Sequence, residues 1–255
     1  MSEVPEKPKS DLKVRTLSAA VMVVVAAFAL WASGWWWAAF VSVITLGVYW
    51  EWARLCLQFA NGRASRIFWL TFGLIYIGIA CYNIASLGQG DIGGTGAQWG
   101  RYFLVVIIAT VIGTDIGAYF AGRTIGGPKI APKISPSKTW AGLFGGMFGA
   151  FVLLLGWAYL TAGSAMMSLD GFETAGLYAR WQEAVIPSLK TGAIGAVIAQ
   201  MGDFFESWMK RKAGMKDSSN LIPGHGGLFD RLDGFIAVSF ANVLAGFVGG
   251  GWPFV

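Results

Sequence analysis

The residues best equipped for chemistry lie between Met201 and Asp233, in the stretch MGDFFESWMKRKAGMKDSSNLIPGHGGLFDRLD. It gathers Asp203, Glu206, Asp217, Asp230 and Asp233 with Lys210, Arg211, Lys212, Lys216, Arg231 and the single histidine, His225. In a chain that is 13% charged, that density is out of character. Asp203 and Glu206 stand one helical turn apart and share a face, and Asp230 and Asp233 repeat the spacing around Arg231. Magnesium is held by one or two carboxylates plus water and substrate phosphates, so Asp203 and Asp230 would supply such a pair if the intervening loop folds back. A cation held there on a triphosphate stabilises the charge that develops as pyrophosphate leaves. The run Pro223-Gly224-His225-Gly226-Gly227 suits a backbone that must approach a ligand closely. His225 reads equally well as a loop-ordering residue or an acid–base group. One histidine with no neighbouring cysteine excludes a zinc site, and the P-loop spacing is absent.

A second polar stretch follows the apolar run ending near residue 121. Asp115 sits inside that run, where a carboxylate at bilayer depth costs on the order of 3 kcal/mol and must face a partner or a wet cavity. Gly113 and Gly117 on the same helix permit close approach of a neighbour. Beyond it, Lys129, Lys133 and Lys138 with Ser135, Ser137 and Thr139 supply cations and hydroxyl donors. Ser137-Lys138-Thr139 is expected to open the next helix, whose N-terminal N–H groups would suit a phosphate.

The elements that must position these groups are transmembrane helices. The chain is 55% hydrophobic with 13 Trp and 36 Gly. Apolar runs recur near residues 16–33, 35–53, 67–87, 102–121, 139–162, 187–206 and 234–252, each close to the roughly 20 residues that cross a bilayer. The expected architecture is all-α and polytopic, with about seven spans and room for up to nine. Residues 1–15 form a polar tail and residues 16–255 one transmembrane domain; the first span is read as uncleaved. With the N-terminus inside, 16 of the 19 Lys/Arg fall in inner segments, which sets the N-terminus in the cytoplasm. The formal charge of +5 then reflects loop topology rather than nucleic-acid binding. Gly88–Gly100 and residues 163–186 are expected as external loops, the latter with a short surface helix. The Trp35-Trp36-Trp37 cluster is expected at the membrane interface, and Cys56 and Cys81 as packing residues.

From Ser207 to Asp233 the sequence resembles the signature of the phosphatidate cytidylyltransferases (CDP-diacylglycerol synthases), through Ser207, Lys210-Arg211, Lys216-Asp217, Pro223, His225-Gly226-Gly227, Asp230-Arg231 and Asp233. The resemblance extends to Asp115–Tyr119, to SPSKTW at Ser135–Trp140 and, more weakly, to Tyr49-Trp50-Glu51-Trp52. It implies an inner-membrane homodimer that joins CTP to phosphatidate, giving CDP-diacylglycerol and pyrophosphate at a cytoplasmic site. It further implies magnesium on Asp203 and Asp230, with potassium as a candidate second ion. Lys138, Lys210, Arg211, Lys216 and Arg231 are expected to neutralise phosphates. Asp217, His225 and Asp233 complete the catalytic set, and Asp115, Ser135, Ser137, Thr139, Ser207, Gly226 and Gly227 join Lys138 in substrate binding. The rival expectation is an ion-coupled transporter using Asp115 and Asp203.

Overall fold

The structure is a computed structural model that describes residues 10–89, 97–166 and 174–249. Seven helices follow in order: α1 (Ser10–Ala32), α2 (Gly34–Phe59), α3 (Gly62–Gly88), α4 (Ala97–Thr124), α5 (Trp140–Met166), α6 (Thr174–Lys212) and α7 (Phe229–Gly249). Two short strands, β1 (Lys129–Ala131) and β2 (Ser135–Thr139), pair antiparallel between α4 and α5. The helices α1 to α6 are long and apolar enough to cross a membrane. The seventh expected span corresponds to α7, whose first turns carry Asp230, Arg231 and Asp233 ahead of its apolar run.

Some boundaries move. α1 begins at Ser10, so residues 10–15 are helical; residues 1–9 lie outside the described set. The expected loop at 163–186 is shorter, because α6 already starts at Thr174 and continues through Pro187 as one 39-residue helix. Proline inside a helix removes one amide donor and crowds the carbonyl four residues back, yet α6 runs through Pro187 as one element. The core of the Gly88–Gly100 loop and residues 167–173 lie outside the described residues.

The chain divides into two compact units, one of residues 1–97 and 209–232 and the other of 98–208 and 233–255. In the first, α2 and α3 form a hairpin keyed by tryptophans set into glycine notches. A Cβ on Gly73 would fall 2.1 Å from Trp52 Nε1, and one on Gly88 2.0 Å from Trp37 Nε1. Each indole donates to a carbonyl of α3, Trp52 to Trp69 at 2.9 Å and Trp37 to Ile84 at 3.1 Å, so neither of these two buried N–H groups is left unmet. Trp35 and Trp36 are exposed as an interfacial pair should be, but Trp37 is core. Cys56 and Cys81 are both buried and free, as packing residues. Leu17, Val21, Val24, Phe28 and Trp31 leave α1 with an exposed apolar surface suited to lipid.

In the second unit α4 and α5 cross at glycines. A Cβ on Gly117 would fall 2.0 Å from the Gly145 carbonyl oxygen, and one on Gly149 2.2 Å from that of Gly113. The expected close approach at Gly113 and Gly117 is therefore realised, backbone against backbone. Gly202 of α6 does the same against α7, where an added Cβ would lie 2.6 Å from both the Asp233 oxygen and the Ala237 Cβ.

Candidate functional site

In the first unit the site is the loop from Ala213 to Leu228 and the first turn of α7. Its anchor is Glu51, a fully buried carboxylate of α2. Glu51 accepts from the backbone N–H of Leu228 (2.9 Å) and Phe229 (2.6 Å), from Ser218 Oγ (3.0 Å) and from Ser219 Oγ. Four donors converge on an acceptor-only group, and two of them are amides at the start of α7. A buried carboxylate from another helix thus caps this N-terminus.

Asp230 organises the same loop from inside α7. Its Oδ2 accepts from Gly227 N–H at 2.8 Å and Ser218 N–H at 3.0 Å, and Oδ1 accepts from Lys210 Nζ at 2.8 Å; Ser218 Oγ, 3.1 Å from Oδ2, has one proton and gives it either here or to Glu51. Gly226 and Gly227 are glycines for a reason internal to this loop. Gly226 has φ +86, and a Cβ on Gly227 would lie 1.8 Å from Ser218 Oγ. The close approach expected of them is made here to Asp230 and Ser218. His225 holds the turn: its N–H donates to Ile222 O at 3.0 Å, and its carbonyl accepts from Arg231 Nη2 at 2.6 Å. Its Nδ1 lies 2.8 Å from Ser18 Oγ of α1, and that hydroxyl also sits 3.1 Å from the Pro223 and Arg15 carbonyls. Those carbonyls only accept, so a hydroxyl proton given to either leaves Nδ1–H donating to Ser18. Arg211, Lys216 and Asp217 are exposed.

The second unit holds a different cluster. Ser135, Ser137, Lys138 and Thr139 lie on β2 rather than in a helix, because the β1–β2 hairpin takes up the loop. Only Thr139 serves the helix start, its Oγ1 accepting from Gly142 N–H at 3.0 Å. Ser135 is buried in the hairpin, and Ser137 is exposed. Lys138 Nζ forms an ion pair with Asp203 Oδ2. Burial alone would pull the Lys138 ammonium down, but Asp203, Asp115 and Asp233 outweigh it and hold it above the ordinary lysine range. Asp233 is pushed up to about 7, first by burial and then by the neighbouring Asp203, against the opposing pull of Gly234 N–H and Lys138. Like charges crowded around one ammonium disfavour full ionisation, and Asp233 is the carboxylate that yields. A cavity of about 310 Å³ opens here, lined by Asp115, Arg123, Ser137, Lys138 and Gln200 among others.

Among the described residues no three His, Cys, Asp or Glu side chains converge as a metal-holding group. A hard cation can be held by fewer ligands, one or two carboxylates with water and substrate phosphate completing its shell. Asp203 has room for the role, since among the described residues its Oδ1 meets only Ser207 Oγ at 3.4 Å. Asp230 is more committed, and a cation there would have to displace Lys210 or the loop's own donors.

Residues 57–248 match the cytidylyltransferase family. The chain belongs to that family. Its similarity to individual proteins follows suit. A phosphatidate cytidylyltransferase of Brucella abortus is 30% identical over 192 residues, covering 75% of this chain and 60% of the relative. The chain thus spans less than two thirds of that relative's length. A phosphatidate cytidylyltransferase of Synechocystis sp. is 44% identical over 59 residues, 23% of this chain and 20% of the relative. One from Helicobacter pylori is 54% identical over 41 residues, 16% of this chain and 15% of the relative. α1 and most of α2 lie outside the family match, yet this family member draws Ser18 and Glu51 from them to hold the loop.

The structure therefore gathers Lys210, Ser218, Gly227 and Asp230 in one unit and Asp115, Lys138, Asp203 and Asp233 in the other. Glu51 and Gln200 were not expected among the site residues. A signal existed for both, since each is a polar residue within an apolar helix, and Gln200 stands one turn before Asp203 on the same face.

Proposed function

We propose that this chain condenses CTP with phosphatidate to give CDP-diacylglycerol and pyrophosphate. The observation that carries the reading is the family match over residues 57–248, which contains every charged residue of the two clusters apart from Glu51. An oxygen of the lipid phosphate attacks the α-phosphorus of CTP in line, a P–O bond forms, and the bond to the β-phosphate oxygen breaks to release pyrophosphate. A phosphate monoester is already deprotonated near neutral pH, so no residue need act as base. Magnesium, when bound, would neutralise the triphosphate, with Asp203 and Asp230 as its carboxylate ligands and potassium as a candidate second ion. Lys138, Lys210, Arg211, Lys216 and Arg231 carry positive charge to the phosphates, and Ser207, Ser137 and Thr139 offer hydroxyls. Lys138 and Lys210 are held in place by Asp203 and Asp230 until an anionic substrate competes for them. The contribution of the protein is positioning and charge, without a covalent intermediate. His225 orders the loop in this scheme, consistent with its bonds to Ser18, Ile222 and Arg231.

The same reading places the enzyme in a cytoplasmic membrane as a homodimer, with the site open to cytoplasmic CTP and to phosphatidate in the inner leaflet. The deciding assay is pyrophosphate release by the purified protein. Release should require CTP, phosphatidate and magnesium together, and should stop on chelation and resume on magnesium repletion. Release indifferent to phosphatidate would overturn the assignment, and ion-coupled uptake without nucleotide would favour the transporter.

A further inference from the structure

The cavity of the second unit contains one side chain that neither the metal nor the phosphates explain. Gln200 is 4% exposed, on α6 one turn before Asp203, and lines the cavity together with Asp115, Ser137, Lys138 and Arg123. Neither its Oε1 nor its Nε2 has a hydrogen-bond partner among the described residues. An amide buried with both atoms unmet costs about 1–3 kcal/mol for each group, a large penalty to carry without a purpose. Gly146 of α5 packs beside the amide, and a Cβ there would lie 3.5 Å from Nε2, in ordinary contact with it. The cavity, at about 310 Å³, is of the size that takes part of a nucleotide.

The unmet pair restricts what fits. A phosphate or an ester carbonyl only accepts, and would satisfy Nε2 while leaving Oε1 orphaned. A base edge that sets a donor beside an acceptor satisfies both atoms at once. The amide can turn to meet either order of donor and acceptor, so by itself it does not choose among bases. Asp115 lines the same cavity, and an ionised carboxylate accepts only. It favours an exocyclic amine, as in cytosine, over a carbonyl at that position, as in uracil. The cations and hydroxyls of the cavity, Lys138, Arg123 and Ser137, suit the phosphate end of the same ligand.

We propose that Gln200 pairs with the base edge of the bound nucleotide and that Asp115 selects the amino-bearing pyrimidine. This rests on the reading of the chain as a CTP-using transferase and adds the base subsite to it. The test compares wild type with Gln200→Met, which keeps the volume and removes both polar atoms, and with Gln200→Glu, which keeps acceptors only. CTP should raise the thermal unfolding midpoint of the purified wild-type protein in the absence of phosphatidate, more than UTP does, and Gln200→Met should lose most of that shift. In turnover, KM for CTP should rise about 10-fold on loss of the paired amide. KM for phosphatidate should stay within about 2-fold, since no lipid contact is removed. Asp115→Asn should narrow the preference for CTP over UTP. An unchanged CTP shift in Gln200→Met overturns the inference, as does a rise confined to phosphatidate KM or a change only in the ratio of CTP to dCTP, which would move Gln200 to the lipid or the ribose. If Gln200→Met does not fold, Gln200→Glu decides by the same measurements. Protection of the wild type by CTP without phosphatidate-dependent pyrophosphate release would sink the proposed reaction and leave the base subsite standing; no protection at all would sink the subsite.

Discussion

Removing Glu51 should dismantle the signature loop from a distance. In Glu51→Ala the N–H groups of Leu228 and Phe229 lose their acceptor inside the protein. Each buried amide left unmet costs about 1–3 kcal/mol. The two serine hydroxyls can turn elsewhere, Ser218 Oγ to Asp230 Oδ2 at 3.1 Å for example, and add little. The loss is therefore about 2–6 kcal/mol, above the ~1 kcal/mol of an ordinary exposed N-cap. For a chain of this size that lowers the unfolding midpoint by about 5–20 °C. Glu51→Gln should fall between the two, because its amide keeps one acceptor but turns an NH₂ toward groups that also donate. Cys56 and Cys81 are both buried and free, so a thiol-reactive dye in detergent reports unfolding directly. Pyrophosphate release should fall with the midpoint, since Ser218 also holds Asp230. A Glu51→Ala protein that melts within about 1 °C of wild type and turns over normally would refute the claim that this carboxylate anchors the loop.

Asp230→Asn should cut turnover by more than about 100-fold, through loss of the Lys210 ion pair and of the proposed metal ligand; normal activity would remove Asp230 from the chemistry. Gly117→Val should prevent assembly of the second unit, because its first side-chain carbon already overlaps the Gly145 carbonyl; recovery of well-folded protein at wild-type yield would contradict the close crossing. Asp233 sets a pH dependence. Its folded-state pKa, about 7, lies above the ordinary 3.8. Folding therefore favours the protonated form, and that stabilisation is complete below about 3.8 and lost as pH rises through about 7. Metal-free protein should melt lower at pH 8 than at pH 6, and Asp233→Asn should flatten the difference.

Hydrophobic patterning alone locates all seven helices, because a segment in lipid must satisfy its backbone internally and so announces itself as a long apolar run. Their ends are another matter. The start of α6 at Thr174 and the short β1–β2 hairpin depend on local pairing that composition does not record. The charged stretch from Asp203 to Asp233 could be picked out for its cost near lipid, and the membership of the cytidylyltransferase family agrees with what its motif implied. The partners of those charges were beyond reach of spacing. Lys138 and Asp203 are 65 residues apart in the chain, and Glu51 reaches Ser218 across 167. Both meetings are created by packing: glycines that let helices touch backbone to backbone, and a buried carboxylate whose four donors come from a loop far along the chain. Residue type dictates that a buried charge needs a counterpart; only the folded arrangement decides which group supplies it, because desolvation penalises whatever is left unmatched wherever in the sequence its match lies.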